Sequence, residues 1–207
     1  MKKYLLAVLF LMANIGSTPA NATTISSTLN ADNIFQLYVS TSNNTLGTLV
    51  GSGDTWGNTY NFTSQLTAGV TNFLHIVVNN VGGPGGLLGA FTLSDTSFVF
   101  ANGTQTLLTG DAGITQNLSG FGSAGNATVS EGANGVGPWG TRSGYDQLVP
   151  QWIWNYYSNN GDDRNTVYFS ASILVPNAVP EPGSIALLGL GLLALVAWRK
   201  RKEQMSA

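Results

Sequence analysis

The sequence predicts an all-β protein, an antiparallel β-sandwich followed by a single C-terminal apolar helix. Three observations carry this. Short apolar–polar alternations recur along the middle of the chain and are broken by Gly, Asn and Asp. No sustained helical period appears before the last thirty or so residues. A charge-free run rich in Leu, Gly and Ala then precedes four adjacent basic residues.

Taken in order, Ile34–Val39 sets Phe35, Leu37 and Val39 on one face. Tyr60, Phe62 and Leu66 alternate with Asn61, Thr63 and Gln65, the pattern of a half-buried strand. After a turn at Thr67-Ala68-Gly69, Phe73–Val78 is apolar on both faces and suits the middle of a sheet. Further strands are expected at Leu87–Leu93, Phe98–Phe100 and Thr104–Leu108. The last runs over Thr166–Val175, with Val167, Phe169, Ala171, Ile173 and Val175 on a shared face.

Composition narrows the class. The 207 residues are enough for one ordinary domain plus targeting segments. Gly, Asn, Ser and Thr are abundant, yet 43% hydrophobic and 10% aromatic residues argue against a disordered chain. Cysteine is absent, which excludes disulfides and thiolate metal sites. Between the two ends lie two basic residues, Arg142 and Arg164, against eight acidic ones, a net charge of −6. An acidic body without a basic patch argues against nucleic acid as a partner.

Both ends read as targeting segments. Met1-Lys2-Lys3, an apolar run from Tyr4 to Met12, and small residues at Ala20 and Ala22 form a signal peptide for signal peptidase. Cleavage after Ala22 makes Thr23 the mature N-terminus. At the other end, Pro180-Glu181-Pro182 leads into the apolar run 183–198, closed by Arg199, Lys200, Arg201 and Lys202. Sixteen helical residues cover about 24 Å. Trp198 at the boundary and snorkelling basic side chains bring the segment closer to the roughly 30 Å of a hydrocarbon core. The basic cluster anchors that end in the cytoplasm and leaves the body outside. Residues 1–22, 23–177, 178–202 and 203–207 thus divide into signal peptide, ectodomain, C-terminal signal and tail end.

The order of tripeptide, glycine-interrupted apolar run, Trp and basic cluster over 178–202 resembles the PEP-CTERM sorting signal. The resemblance implies recognition by a membrane-embedded exosortase, cleavage near the motif, and a Gram-negative bacterium that makes extracellular polysaccharide. It also implies an inner-membrane precursor whose body ends at the cell surface or in the extracellular matrix. A plain single-span anchor that begins with a proline turn is the simpler alternative. The prolines hold the backbone extended, as a protease at the bilayer surface needs, and Glu181 offers one charge for recognition.

Over about 31–175 the body resembles galactose-binding-like jelly-roll modules. The likeness rests on Ala31–Val39, Gly53-Asp54-Thr55-Trp56, Leu66–Gly69, Phe73–Val78, Gly82–Ala90, Gln151–Trp154 and Thr166–Phe169. It implies a jelly-roll sandwich. Ser40–Asn44 stands where an Asn-Gly hairpin is usual, and the Gly-rich stretch Gly120–Gly144 has no counterpart.

Candidate chemistry is sparse. His75 is the only histidine and lies in the most apolar strand, where a structural role is expected. Asp32, Asp54, Asp162 and Asp163 are candidate Ca²⁺ ligands, since that ion takes carboxylate and carbonyl oxygens. Asn/Asp-Gly clusters are also ordinary turns. Trp56 and Trp139 sit in polar or glycine-rich turns and are candidate stacking platforms for sugar rings, or else core residues. Trp152 and Trp154, two apart, are expected to share a buried face if their segment is a strand. Asn61, Asn102, Asn117 and Asn126 stand in glycosylation sequons, read here as composition. The expected function is that of a non-enzymatic surface or matrix protein whose ectodomain binds extracellular polysaccharide. The alternative is a structural or adhesive protein without a small ligand. A glycoside hydrolase, the outsider, would need two carboxylates at a set separation across a cleft.

Overall fold

The computed structural model describes residues 22–156 and 165–176, with scattered positions between 189 and 204. Thirteen strands are found among them: β1 (Thr24–Asp32), β2 (Ile34–Ser40), β3 (Thr48–Gly53), β4 (Tyr60–Gln65), β5 (Asn72–Asn79), β6 (Gly86–Leu93) and β7 (Val99–Phe100). The remainder are β8 (Thr106–Leu108), β9 (Ile114–Asn117), β10 (Asn126–Ala127), β11 (Val129–Ala133), β12 (Gln151–Trp154) and β13 (Thr166–Leu174). The chain divides into two units, 1–175 and 176–207.

All strand pairings in the body are antiparallel. One sheet, called A, runs β11-β12-β6-β1-β4, with β8 also on β6. The other, B, runs β10-β9-β13-β5-β2-β3, with β7 on β13. Residues facing inward from both sheets meet in one core, including Ile25 and Leu29 from β1, Phe91 from β6, Leu37 from β2, Ile76 from β5 and Phe169 from β13. This is a β-sandwich held by apolar burial between two faces.

The strands expected from alternation are present, with ends shifted by a residue or two. β5 lies between β13 and β2, as its two-sided apolar pattern requires. Phe98–Phe100 and Thr104–Leu108 shorten to β7 and β8 because tight turns take up their ends. Five strands carry no clear apolar alternation and escape sequence reading: β1, β3, β9, β10 and β11. In β1 the ladder partners β4 and β6 are fixed, but Ser27, Asn30 and Asp32 are buried beside the apolar residues.

The uncounterparted stretch around Gly120–Gly144 acts on both outer faces. Residues 118–125 cross the outside of sheet B and carry Phe121 onto His75, with ring centroids 3.9 Å apart and nearly parallel at 16°. Residues 134–149 fold over sheet A, where Trp139 and Tyr145 join Leu88, Ala90 and Trp152 in a second apolar cluster. This cover explains why β6 is buried along nearly its whole length, on both faces.

Two glycines make the packing feasible. A Cβ at Gly85 would lie 2.3 Å from the Trp154 ring, and one at Gly86 would lie 2.8 Å from Trp152 and 2.9 Å from Trp139. The bare backbone at the start of β6 is therefore the surface against which three indoles lie.

Candidate functional site

Of the expected targeting residues, Ala20, Pro180, Glu181, Pro182, Arg199, Lys200 and Lys202 lie outside the described residues, as do most of residues 183–198. No helix among the described residues is long and apolar enough to cross a membrane. At the other end, Ala22 is exposed and β1 begins at Thr24. Thr23 is already fixed: its carbonyl accepts from Leu66 N–H at 2.9 Å, and its hydroxyl donates to Asp95 Oδ1 at 3.0 Å. Hydrogen bonds from the Ser97 backbone and from the hydroxyls around it hold the Asp95 carboxyl below its ordinary range.

Trp139 is not a surface platform. It is 2% exposed, stacked on Trp152 at 4.6 Å, and its Nε1–H donates to Asp32 Oδ2 at 2.8 Å. Its glycine-rich neighbours suggested a turn tip; those glycines instead let the turn fold inward over sheet A. Trp152 and Trp154 are both buried, but they do not share one cluster. Trp152 stacks in the outer cluster of sheet A, whereas Trp154, at the end of β12, packs with Phe169 in the main core at 5.9 Å.

Trp56 is 40% exposed. The Arg142 guanidinium lies 5.1 Å from its ring centroid and covers one face, a cation–π contact. Arg142 in turn donates to the carbonyls of Gly57 and Trp139, tying the Trp56 turn to the cover of sheet A.

The candidate Ca²⁺ ligands part company. Asp32 is 8% exposed and engaged with an indole, with Oδ1 buried and unpartnered. Burial pushes its carboxyl up, and the Trp139 N–H offsets only part of that. Asp54 is exposed and accepts from the Thr55 hydroxyl at 3.1 Å. Among the described residues no three His, Cys, Asp or Glu side chains converge as a metal site would need. Asp162 and Asp163 lie outside the described residues.

His75 is fully buried, but not in the core between the sheets. It points to the outside of sheet B and is covered by Phe121, with Phe73 beside it at 6.0 Å. Its Nε2 lies 3.5 Å from Asn43 Oδ1. Burial lowers its pKa from 6.5, offset in part by the backbone of Leu46 and Thr45, so the ring is neutral at pH 7.

Beside this stack, and missed in the sequence, is a cleft of about 270 Å³ between the 118–125 loop and the outer faces of β9 and β13. Tyr168, Ser170 and Ser172 reach it because Val167, Phe169, Ala171 and Ile173 turn the other way into the core. Thr115 stands opposite Ser170 in the register. The alternation of Thr166–Val175 did announce which of its residues face outward; what it lacked was any sign that a glycine-rich loop lies above them.

The body is thus an antiparallel sandwich with an outer-face cleft, and its C-terminal segment is a separate unit. That segment, residues 178–202, matches the family model of the PEP-CTERM protein-sorting motif. The chain therefore carries an exosortase sorting signal and is an exported protein, made as a membrane-anchored precursor destined for the surface. No curated protein and no solved structure matches the chain.

Proposed function

We propose that this protein is a non-enzymatic component of the cell envelope or extracellular matrix of a Gram-negative bacterium, and that its body binds extracellular polysaccharide. Signal peptidase cuts after Ala22, the apolar run 183–198 holds the precursor in the inner membrane, and exosortase severs the chain near Pro180-Glu181-Pro182. The observation that carries the reading is the sorting motif over residues 178–202. Its position supports the cut, because the unit boundary falls at Val175/Pro176, just before it. The anchored Thr23 supports cleavage after Ala22, because β1 begins at Thr24 and the cut falls just ahead of it. A jelly-roll reading of the body is supported by the way the chain crosses between the sheets at most of its connections.

Fractionation and mass measurement of the C-terminus test the sorting step. The mature wild-type protein is expected to lack Arg199–Lys202, and Glu181→Ala to leave the full-length chain in the inner membrane. A mature product that keeps its basic cluster would overturn the processing step.

A further inference from the structure

We infer that the cleft between the 118–125 loop and the outer faces of β9 and β13 is a binding site for a neutral sugar ring, one unit of a polysaccharide chain. The inference rests on the polysaccharide reading above and gives it a place on the molecule.

Charge decides the ligand class first. Among the described residues no Asp, Glu, Lys or Arg lines the cleft, and the neighbouring His75 ring is neutral at pH 7. A phosphate, a carboxylate or a cation would lose hydration there without meeting an opposite charge. What the cleft offers is hydroxyl and amide. Ser170 Oγ donates to Asn43 Oδ1 at 3.3 Å, and the same oxygen faces His75 Nε2. With its oxygen committed, Asn43 keeps Nδ2 as a donor at the cleft, beside the hydroxyls of Ser172 and Ser123. Hydroxyls both donate and accept, which suits a ligand whose own groups are hydroxyls.

An aromatic wall completes the match. Phe121 stands edge-on to Tyr168, with centroids 5.3 Å apart at 89°, and both rings border the cleft. Aromatic faces present partial negative charge, to which the polarised C–H groups of a sugar ring are complementary. The wall is held in place from behind: one face of Phe121 lies on His75, and Gly122, at φ +89°, passes so close to Asn44 that a Cβ would come within 2.6 Å of its Oδ1. Size points to one ring of a longer chain. At about 270 Å³ the space sits just below the roughly 300 Å³ at which whole small-molecule sites begin.

The test is calorimetric titration of the full-length chain in detergent with neutral hexaoses built on glucose, mannose, galactose or xylose, with oligogalacturonate as the charged comparison. At least one neutral hexaose is expected to bind. Ser172→Tyr, which fills the cleft from the half-buried outer face of β13, is expected to abolish that binding. Phe121→Ala is expected to weaken it by about tenfold or more, equivalent to about 1.4 kcal/mol. Melting curves of each variant show whether it is folded, and Ser172→Tyr keeps the test sharp where Phe121→Ala loosens the loop. A neutral hexaose whose affinity is untouched by Ser172→Tyr, or lost only in Trp56→Ala, would overturn the cleft while leaving the polysaccharide reading standing. Binding of oligogalacturonate alone would do the same. Failure of every oligosaccharide would overturn both.

Discussion

Two buried titratable side chains lie on the outer faces of opposite sheets, and they pull stability in opposite directions with pH. Asp32 has a raised pKa in the folded state, so the fold favours its neutral form. Its contribution is greatest below the ordinary value of 3.8 and is lost as pH climbs through the folded value. His75 has a lowered pKa, so below 6.5 the unfolded chain takes up a proton that the folded chain resists, and stability falls on acidification. Asp32→Asn separates the two. It keeps an acceptor for the Trp139 indole and removes the carboxyl that burial disfavours. In melting curves between pH 3 and 8 the variant should lose the decline that sets in above 3.8, keep the loss on acidification below 6.5, and melt no lower than wild type at pH 7. A variant that melts well below wild type at pH 7 would show that the carboxylate is held by something stronger than one indole. Neither residue's setting was legible in the sequence. A structural role is expected for His75, but its strand is apolar on both sides, so the sequence does not show which face it takes or that Phe121 covers it.

At the scale of elements, the outer cover of sheet A is the part most exposed to a single change. Residues 134–149 carry no strand, and Trp139 seats them by its stack on Trp152 and its bond to Asp32. Tyr145 adds a hydroxyl that donates to Asn30 Oδ1 at 2.8 Å. Removing a buried indole leaves a cavity that costs about 3–5 kcal/mol. Trp139→Ala should therefore lower the urea midpoint by a corresponding amount, whereas Trp56→Ala, partly exposed, should shift it by less than about 1 kcal/mol. Equal, small effects would mean that the cover is not held by this stack. Sequence pattern found the strands with strict alternation because the period of two is a direct print of the sandwich faces. It failed at β3, β10 and β11, edge strands that bury little, and at the two glycine-rich covers, whose packing comes from contacts distant along the chain. The cleft belongs to one of those covers, so half of it was readable from the outward residues of β13 and the other half was not.

On the scale of the whole molecule, the division of labour between body and tail is what export demands. The main core draws its residues from Ile25 to Ile173, and the second cluster from Leu88 to Trp152, so both close within the first unit. On the proposed route, in which the anchor is cut from a body outside the membrane, the body needs this, since cleavage would remove whatever stability the tail supplied. The pairing pattern adds a kinetic condition. β1 bonds to β4 and β6, and β5 bonds to β13, so the central ladders join segments far apart in sequence. Non-local sheets fold slowly, because loop-closure entropy is spent before the pairing rewards it. On the route proposed above, the anchor would hold the body at its site of processing while these non-local ladders form. Deleting 176–207 should then leave the melting temperature of the folded body within about 1 °C of wild type, short of the roughly 2–4 °C shift that a loss of 1 kcal/mol produces in a domain of this size. The deleted chain should also be recovered from the periplasm or medium rather than from the inner membrane. A body that melts clearly lower without its tail would mean that the C-terminal unit contributes to the fold, and that exosortase cleavage changes the protein's stability as well as its address.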